Sequence, residues 1–116
     1  MAFRFEDLQV WQKALDLDDQ INQLTKTFPK DEVYVLVSQI KRAADSVVLN
    51  IAEGSTGQTK AAFKLFLSYS LRSAIEVVSC LFISKRRGYI NDDQFQQLYT
   101  DYETLVKMIT ALRNSI

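Results

Sequence analysis

Five polar side chains fall on one line of a single predicted helix, and they are the residues best placed to do chemistry. Within Asp31 to Gly54, Gln39, Arg42, Ser46, Asn50 and Glu53 recur at spacings of 3, 4, 4 and 3. Helical geometry stacks such positions along one edge, roughly 120° round from a strong apolar face. Arg42 and Ser46, and Ser46 and Asn50, are i,i+4 neighbours that can touch. Such a stripe is a hydrophilic seam that satisfies its own hydrogen bonds between packed helices, or a surface that meets a ligand or partner. A catalytic reading lacks a nucleophile paired with a base. The chain has no histidine, which removes the commonest general base, the Ser-His-Asp arrangement and the commonest metal ligand. Cys80 is the single cysteine, so neither an intramolecular disulfide nor a cysteine metal cluster can form. No metal, cofactor or small-molecule substrate is expected, and the chain does not read as an enzyme.

Other charged groups offer less. Lys85, Arg86 and Arg87 could meet phosphates, and Tyr89 beside them would supply a ring for a base to stack on. The simpler reading is positive charge complementing the dipole at a helix C-terminus. Asp92 and Asp93 read the same way at the start of the next helix, rather than as a metal site. Asp18 borders the core stripe of the first helix and is expected at its exposed edge. If buried, it needs Arg42 or Arg72 as a partner, because an unpaired buried charge is costly.

These residues must be positioned by helices. The chain has 116 residues, enough for one domain spanning 1–116 with a core that needs no staples. Three glycines and one proline are too few for the turns of a β-sandwich of this length. A hydrophobic share of 47% with 24% charged residues is ordinary for a soluble chain and argues against disorder. The formal net charge of zero argues against a protein built mainly to hold a phosphate backbone, although a local basic patch remains compatible with it. The opening MAFRFEDLQV does not resemble a secretory signal, and no run approaches the roughly 18 apolar residues of a membrane span. A cytoplasmic location without membrane contact is the expectation.

Hydrophobic periodicity predicts four helices. The first runs from about Asp7 to Thr27, with Val10, Ala14, Leu17, Ile21, Leu24 and Phe28 as its core stripe. Phe28-Pro29 ends it, since the residue before proline avoids the α region. The second starts near Pro29 or Asp31, with Val33, Leu36, Val37, Ile40, Ala43, Ala44, Val47 and Ile51 inward. Gly54 is expected at its C′ position. The third begins near Thr59 or Lys60, with Phe63, Phe66, Leu67, Ser70, Ala74, Val77, Val78 and Leu81 inward, and stops at Lys85-Arg86-Arg87-Gly88. The fourth opens at Asn91, with Gln94 completing a capping box, and its stripe of Phe95, Leu98, Tyr102, Leu105, Ile109, Leu112 and Ile116 runs to the last residue. Short connections between long helices imply an all-α, antiparallel, up-down-up-down four-helix bundle.

Three of the helices carry apolar residues beyond the one stripe a monomeric bundle needs. Leu65, Tyr69, Cys80 and Ile83 cluster on the back of the third helix, with Glu76 among them. Tyr34, Val48 and Ala52 lie off the main stripe of the second, and Trp11 off that of the first. Exposed apolar patches mark interfaces, so self-association is expected, with Trp11, Tyr34, Leu65, Tyr69 and Ile83 at the contact.

Three segments carry a family resemblance. They are F-x-D-L-x-V-W-Q-x-A at Phe5 to Ala14; F-P-x-x-E followed by Q-I-x-R-A-A-D-S-V-x-x-N-I-A-E-G between Phe28 and Gly54; and F-x-x-F-L-x-x-S-x-x-S-x-x-E at Phe63 to Glu76, followed by L-x-x-x-K-x-x-G-Y-I at Leu81 to Ile90. Together they resemble the four-helix-bundle family known from open reading frames in intervening sequences of 23S ribosomal RNA genes. The resemblance implies a ring-shaped homopentamer whose biochemical role is poorly defined. It places Gln39, Arg42, Ser46, Asn50 and Glu53 on the family motif of helix two, and Ser73 and Glu76 on that of helix three. A more distant relative is the accessory protein of diversity-generating retroelements, a basic pentameric bundle that binds nucleic acid and a reverse transcriptase. This chain is neutral, and Arg72 stands where the family often has glycine. Two functional readings result. One is a non-enzymatic assembly or adaptor protein whose partner is itself or another protein. The other is an RNA-binding protein acting on ribosomal RNA or its intervening segments, with Lys85, Arg86 and Arg87 joined by Lys60 and Lys64 brought round by symmetry.

Overall fold

The computed structural model describes residues 2–57 and 59–116. Its four helices are α1 (Gln9–Thr25), α2 (Ser38–Gly54), α3 (Lys60–Arg86) and α4 (Asp92–Ser115), and the described residues contain no strand. At 1.5 Å per residue α3 is about 40 Å long and α4 about 36 Å. They fill the long axis of a 43 × 23 × 23 Å molecule. Five-residue connections at 55–59 and 87–91 therefore turn the chain back on itself. The most extensive helix contact is α2 on α3, and α1–α2, α3–α4 and α1–α4 close the bundle.

The core stripes of α1 and α4 follow the 3–4 spacing. Val10, Ala14, Leu17, Ile21 and Phe28 are buried from the first, as are Phe95, Leu98, Tyr102, Leu105 and Ile109 from the last; Leu24, Leu112 and Ile116 pack at the edge. α4 opens with the expected capping box. The Gln94 amide donates to the Asn91 side chain at 2.8 Å, and the Gln94 side chain accepts from the Asn91 amide at 2.9 Å. α3 is capped by Thr59, whose hydroxyl accepts from the Ala62 amide. It ends at Gly88, which has a φ of 78°. There the Tyr89 amide bonds the Ser84 carbonyl and the Gly88 amide that of Lys85, the paired bonds of a Schellman motif.

Several expectations need correction. The first helix does not begin at Asp7. Arg4–Asp7 form a 3₁₀ turn, extended backbone at Leu8 interrupts it, and α1 follows. That break folds the N-terminus back, with Phe5 edge-on to Trp11 at 4.8 Å and the Arg4 guanidinium over the Phe63 ring at 5.2 Å. Before α2 come a 3₁₀ turn, Lys30–Glu32, and a π-helical turn, Val33–Val37. A π turn holds more residues than an α turn, so it shifts the register. Val33, expected inward, is exposed, whereas Leu36 and Val37 still reach the core.

Gly54 is not a left-handed C′ residue either; it remains helical at the end of α2. A Cβ there would stand 2.8 Å from Phe66 Cβ and 2.9 Å from Phe63 Cδ1, so its role is the close approach of α3. On α3, Cys80 is buried, as are Leu71 and Ser84, while Phe66 and Val78 are only half-buried. Val48 on α2 also faces the core rather than the outside. α3 is also, in length and composition, apolar enough to cross a membrane, contrary to the expectation that no stretch approaches this. Only 39% of its most apolar window is buried within the bundle.

Candidate functional site

The polar stripe of α2 lies along its seam with α3, where backbone approach is set by small residues. Ser70 is fully buried there and donates to the Val47 carbonyl at 2.9 Å, fixing the register of the two helices. One step outward, the Ser73 hydroxyl donates to Ser46 Oγ at 2.8 Å. The Asn50 amide donates to both Ser46 Oγ and the Ser46 carbonyl at 2.9 Å. Towards the start of α2, Gln39 Nε2 donates to Glu76 Oε2 at 2.6 Å. The structure thus brings Gln39, Ser46, Asn50, Ser73 and Glu76 together as a hydrogen-bonded seam. Arg42 and Glu53 stand exposed beside it, at a shallow depression that also touches Asp45 and Leu49.

Nothing at this seam is an activated nucleophile. Burial, and then the nearby Glu76 charge, push the Cys80 thiol upward, so the thiolate is disfavoured. Among the described residues no cluster of three or more His, Cys, Asp or Glu side chains is placed to hold a metal ion.

The outward face of α3 is different in character. Leu65, Tyr69 and Ile83 are 50%, 38% and 38% exposed, and Arg72 and Glu76 lie between them at helical spacing. Ile75 and Phe82 add exposed apolar surface on the flank, where Phe82 meets Phe95 and Tyr99 edge-on. Leu49 on α2 and the π turn contribute more, and Tyr34 is 92% exposed. Of the five expected contact residues, four are accessible in this way. The exception is Trp11, half-buried against Phe5 and the core of its own chain.

The cations do not form one surface within the chain. Lys60 and Lys64 open α3, while Lys85 and Arg86 close it, about 32–39 Å away at helical rise. Lys85 pairs with Asp92 at 3.4 Å and lies over the Phe95 ring at 4.6 Å. Arg87, although half exposed, is engaged within the chain. Its Nη1 meets Glu32 Oε2 at 2.8 Å, and the Tyr89 hydroxyl donates to the same oxygen at 2.7 Å. The Tyr89 ring packs on Phe28, so neither group is presented as the phosphate-and-stacking pair of the sequence reading. Glu32 is buried. The hydroxyl of Tyr89, and then Arg87, hold its carboxyl below the usual range against the cost of burial.

This Glu32 hub joins the start of the α2 arm to the end of α3, across 55 residues of sequence. Helical periodicity has no access to so distant a pair. Asp18 was also placed too far out. It is partly buried against Asp45, with Lys41 as the nearby cation rather than Arg42 or Arg72.

Comparison with known proteins agrees with this architecture. A family model described as 23S rRNA-intervening sequence protein matches residues 6–111. No curated protein matches the sequence. Among solved structures, the chain is similar to a protein of unknown function from the S23 ribosomal protein family of Bacteroides thetaiotaomicron. The identity is 26% and the TM-score 0.84, covering 90% of this chain and 95% of that one. Four helices built on these motifs, matched over nearly their whole length, place the chain in the 23S rRNA-intervening sequence protein family.

Proposed function

We propose that this chain is a non-enzymatic, self-assembling bundle that acts as an assembly or adaptor module. The observation that carries the reading is the outward face of α3, where Leu65, Tyr69 and Ile83 remain accessible on a helix otherwise apolar enough to be a core element. Exposed apolar side chains of this kind, here interleaved with the charges of Arg72 and Glu76, mark an interface. Each of these side chains is already half or more covered by its own chain, so completing its burial contributes roughly half, or less, of the about 1.5–3 kcal/mol that full burial is worth, and several such residues per contact are needed for a stable oligomer. The family resemblance points to a homopentamer. The Ser46–Asn50–Ser73 seam satisfies its own polar groups and so holds the α2–α3 unit rigid enough to present that face. The same reading has the chain in the cytoplasm, with the apolar face covered by copies of itself rather than by lipid, and with no small-molecule substrate.

RNA binding is the second reading. Lys85 and Arg86 border a depression with Phe82 and Ile83 at one end of the bundle. In a ring, that end would recur once per protomer and repeat Arg86 and its neighbours around one rim. Two measurements on purified, nuclease-treated protein separate the readings: native mass by light scattering, and binding to structured ribosomal RNA fragments across a salt series. The adaptor reading expects an oligomer carrying no nucleic acid, with no RNA binding at low salt. Tight binding lost steeply as salt rises moves the RNA reading ahead. A monomer overturns the assembly reading.

A further inference from the structure

Where α1 and α2 meet, two acids come together. The Asp18 carboxyl lies within hydrogen-bonding reach of that of Asp45, and a small depression there is lined by Asp18, Asp19, Asn22, Lys41 and Asp45. Two carboxylates form a hydrogen bond only when one holds a proton. Beneath them, the phenol of Tyr102 reaches from α4 with its ring 1% exposed, and its hydroxyl is the buried polar side-chain atom without a hydrogen-bond partner among the described residues. A buried hydroxyl left unpaired is uncommon and calls for an explanation. Burial, and then the charges of Asp18 and Asp45, push its pKa up, so the two acids lie within electrostatic reach of the phenol.

We propose that Asp18 and Asp45 form a proton-sharing latch between α1 and α2, closed when one proton lies between them and strained open when both are ionised. The groups that face Asp18 are Asp19 on its own helix, Asp45 and Lys41 on α2, and Tyr102 on α4. Asp19 and Asp45 disfavour a negative charge on Asp18, and Lys41 opposes them. Burial, the hydrogen bond to Asp45 and the Asp45 and Asp19 charges together push the Asp18 carboxyl up to about 7. The native state therefore binds a proton more readily than the unfolded chain, whose aspartate has an ordinary value of 3.8. The latch contributes fully below that value, and its contribution falls as pH rises towards 7. Tyr102, unpartnered while the acids bond each other, is the donor available to the ionised pair.

The test is a carboxyl-carbon NMR titration of the full chain with ¹³C-labelled aspartate, which needs no variant to fold. One aspartate carboxyl is expected to titrate with a midpoint near 7, well above the others. That transition should be absent in Asp18→Asn, which can donate to Asp45 without a proton. Hydrogen exchange of the α1 amides should quicken between pH 6 and pH 8.5 in the wild type, beyond the intrinsic rise, and not in Asp18→Asn. Titration of every aspartate below pH 5, or equal exchange in the two proteins, overturns the latch.

Discussion

Replacing Gly54 by alanine tests whether α3 is held against the end of α2 as closely as the structure has it. Two effects oppose each other. In a helix interior alanine is favoured over glycine by about 0.8–1.0 kcal/mol; Gly54 has helical, not left-handed, backbone but is the last residue of α2, so the gain there is at most that. Propensity alone therefore predicts a stabilised variant. Against it stands the new Cβ, 2.8 Å from Phe66 Cβ and 2.9 Å from Phe63 Cδ1. The first of these atoms is fixed to the α3 backbone and cannot rotate away, so the helix itself has to move. Overpacking of this kind costs about 1–3 kcal/mol, and a contact this short belongs in the upper part of that range. The net expectation is a loss of about 1–2 kcal/mol, or roughly 4–10 °C in Tm for a domain of this size. Thermal unfolding followed by circular dichroism, at one fixed protomer concentration because assembly makes Tm concentration-dependent, reads it directly. A Gly54→Ala protein as stable as the wild type, or more so, would refute the close-approach argument and return Gly54 to a simple helix end.

Three further outcomes follow from buried polar groups. Ser70→Ala removes the α3-to-α2 bond to the Val47 carbonyl, and urea unfolding should show a loss of about 0.5–1.5 kcal/mol. Tyr102→Phe removes an unpartnered buried hydroxyl, so the same assay at pH 5, where the two acids share a proton, should find it neutral or stabilised by about 1 kcal/mol; a clear loss at that pH would mean that the hydroxyl has another partner. Glu32→Gln removes the charge that Arg87 and Tyr89 bond. Because the folded pKa of Glu32 is lowered from 4.5, its stabilisation is present above that value and lost as pH falls through the folded value. The wild type should exceed Glu32→Gln in Tm at pH 6, and the gap should close in acid; a gap that stays constant down to pH 3 argues against the hub.

What could be read from the sequence depended on how cleanly each helix is amphipathic. α4 alternates 3, 4, 3, 4 with polar residues between, and every buried side chain from Phe95 to Ile109 was expected. α3 carries apolar residues well beyond one stripe, so periodicity put Phe66 and Val78 inward and Cys80 on the back face and did not pick out Leu71, whereas Leu71 and Cys80 are buried and Phe66 and Val78 half-buried. The π turn at Val33–Val37 has no sequence signature of its own, and one shifted register moved Val33 outward while leaving Leu36 in place. The polar stripe was visible because its spacing is helical. Its partner Ser73 came through the family motif, since a contact across 27 residues leaves no period to detect. The Glu32–Arg87–Tyr89 hub and the Asp18–Asp45 pair were missed for the same reason. Charges that looked free for phosphate or solvent find their partners only once the chain is folded.

The account stands or falls on the outward face of α3, and the double substitution Tyr69→Ala with Ile83→Ala addresses it most directly. Both residues point away from the core, so their loss should leave the helical content of the bundle intact. Sedimentation velocity of wild type and variant, side by side, gives the answer. The account predicts a wild type at about five times the 13.3 kDa protomer mass and a folded variant at or near one. A variant with the mass of the wild type, or a wild type that is already monomeric, would contradict it.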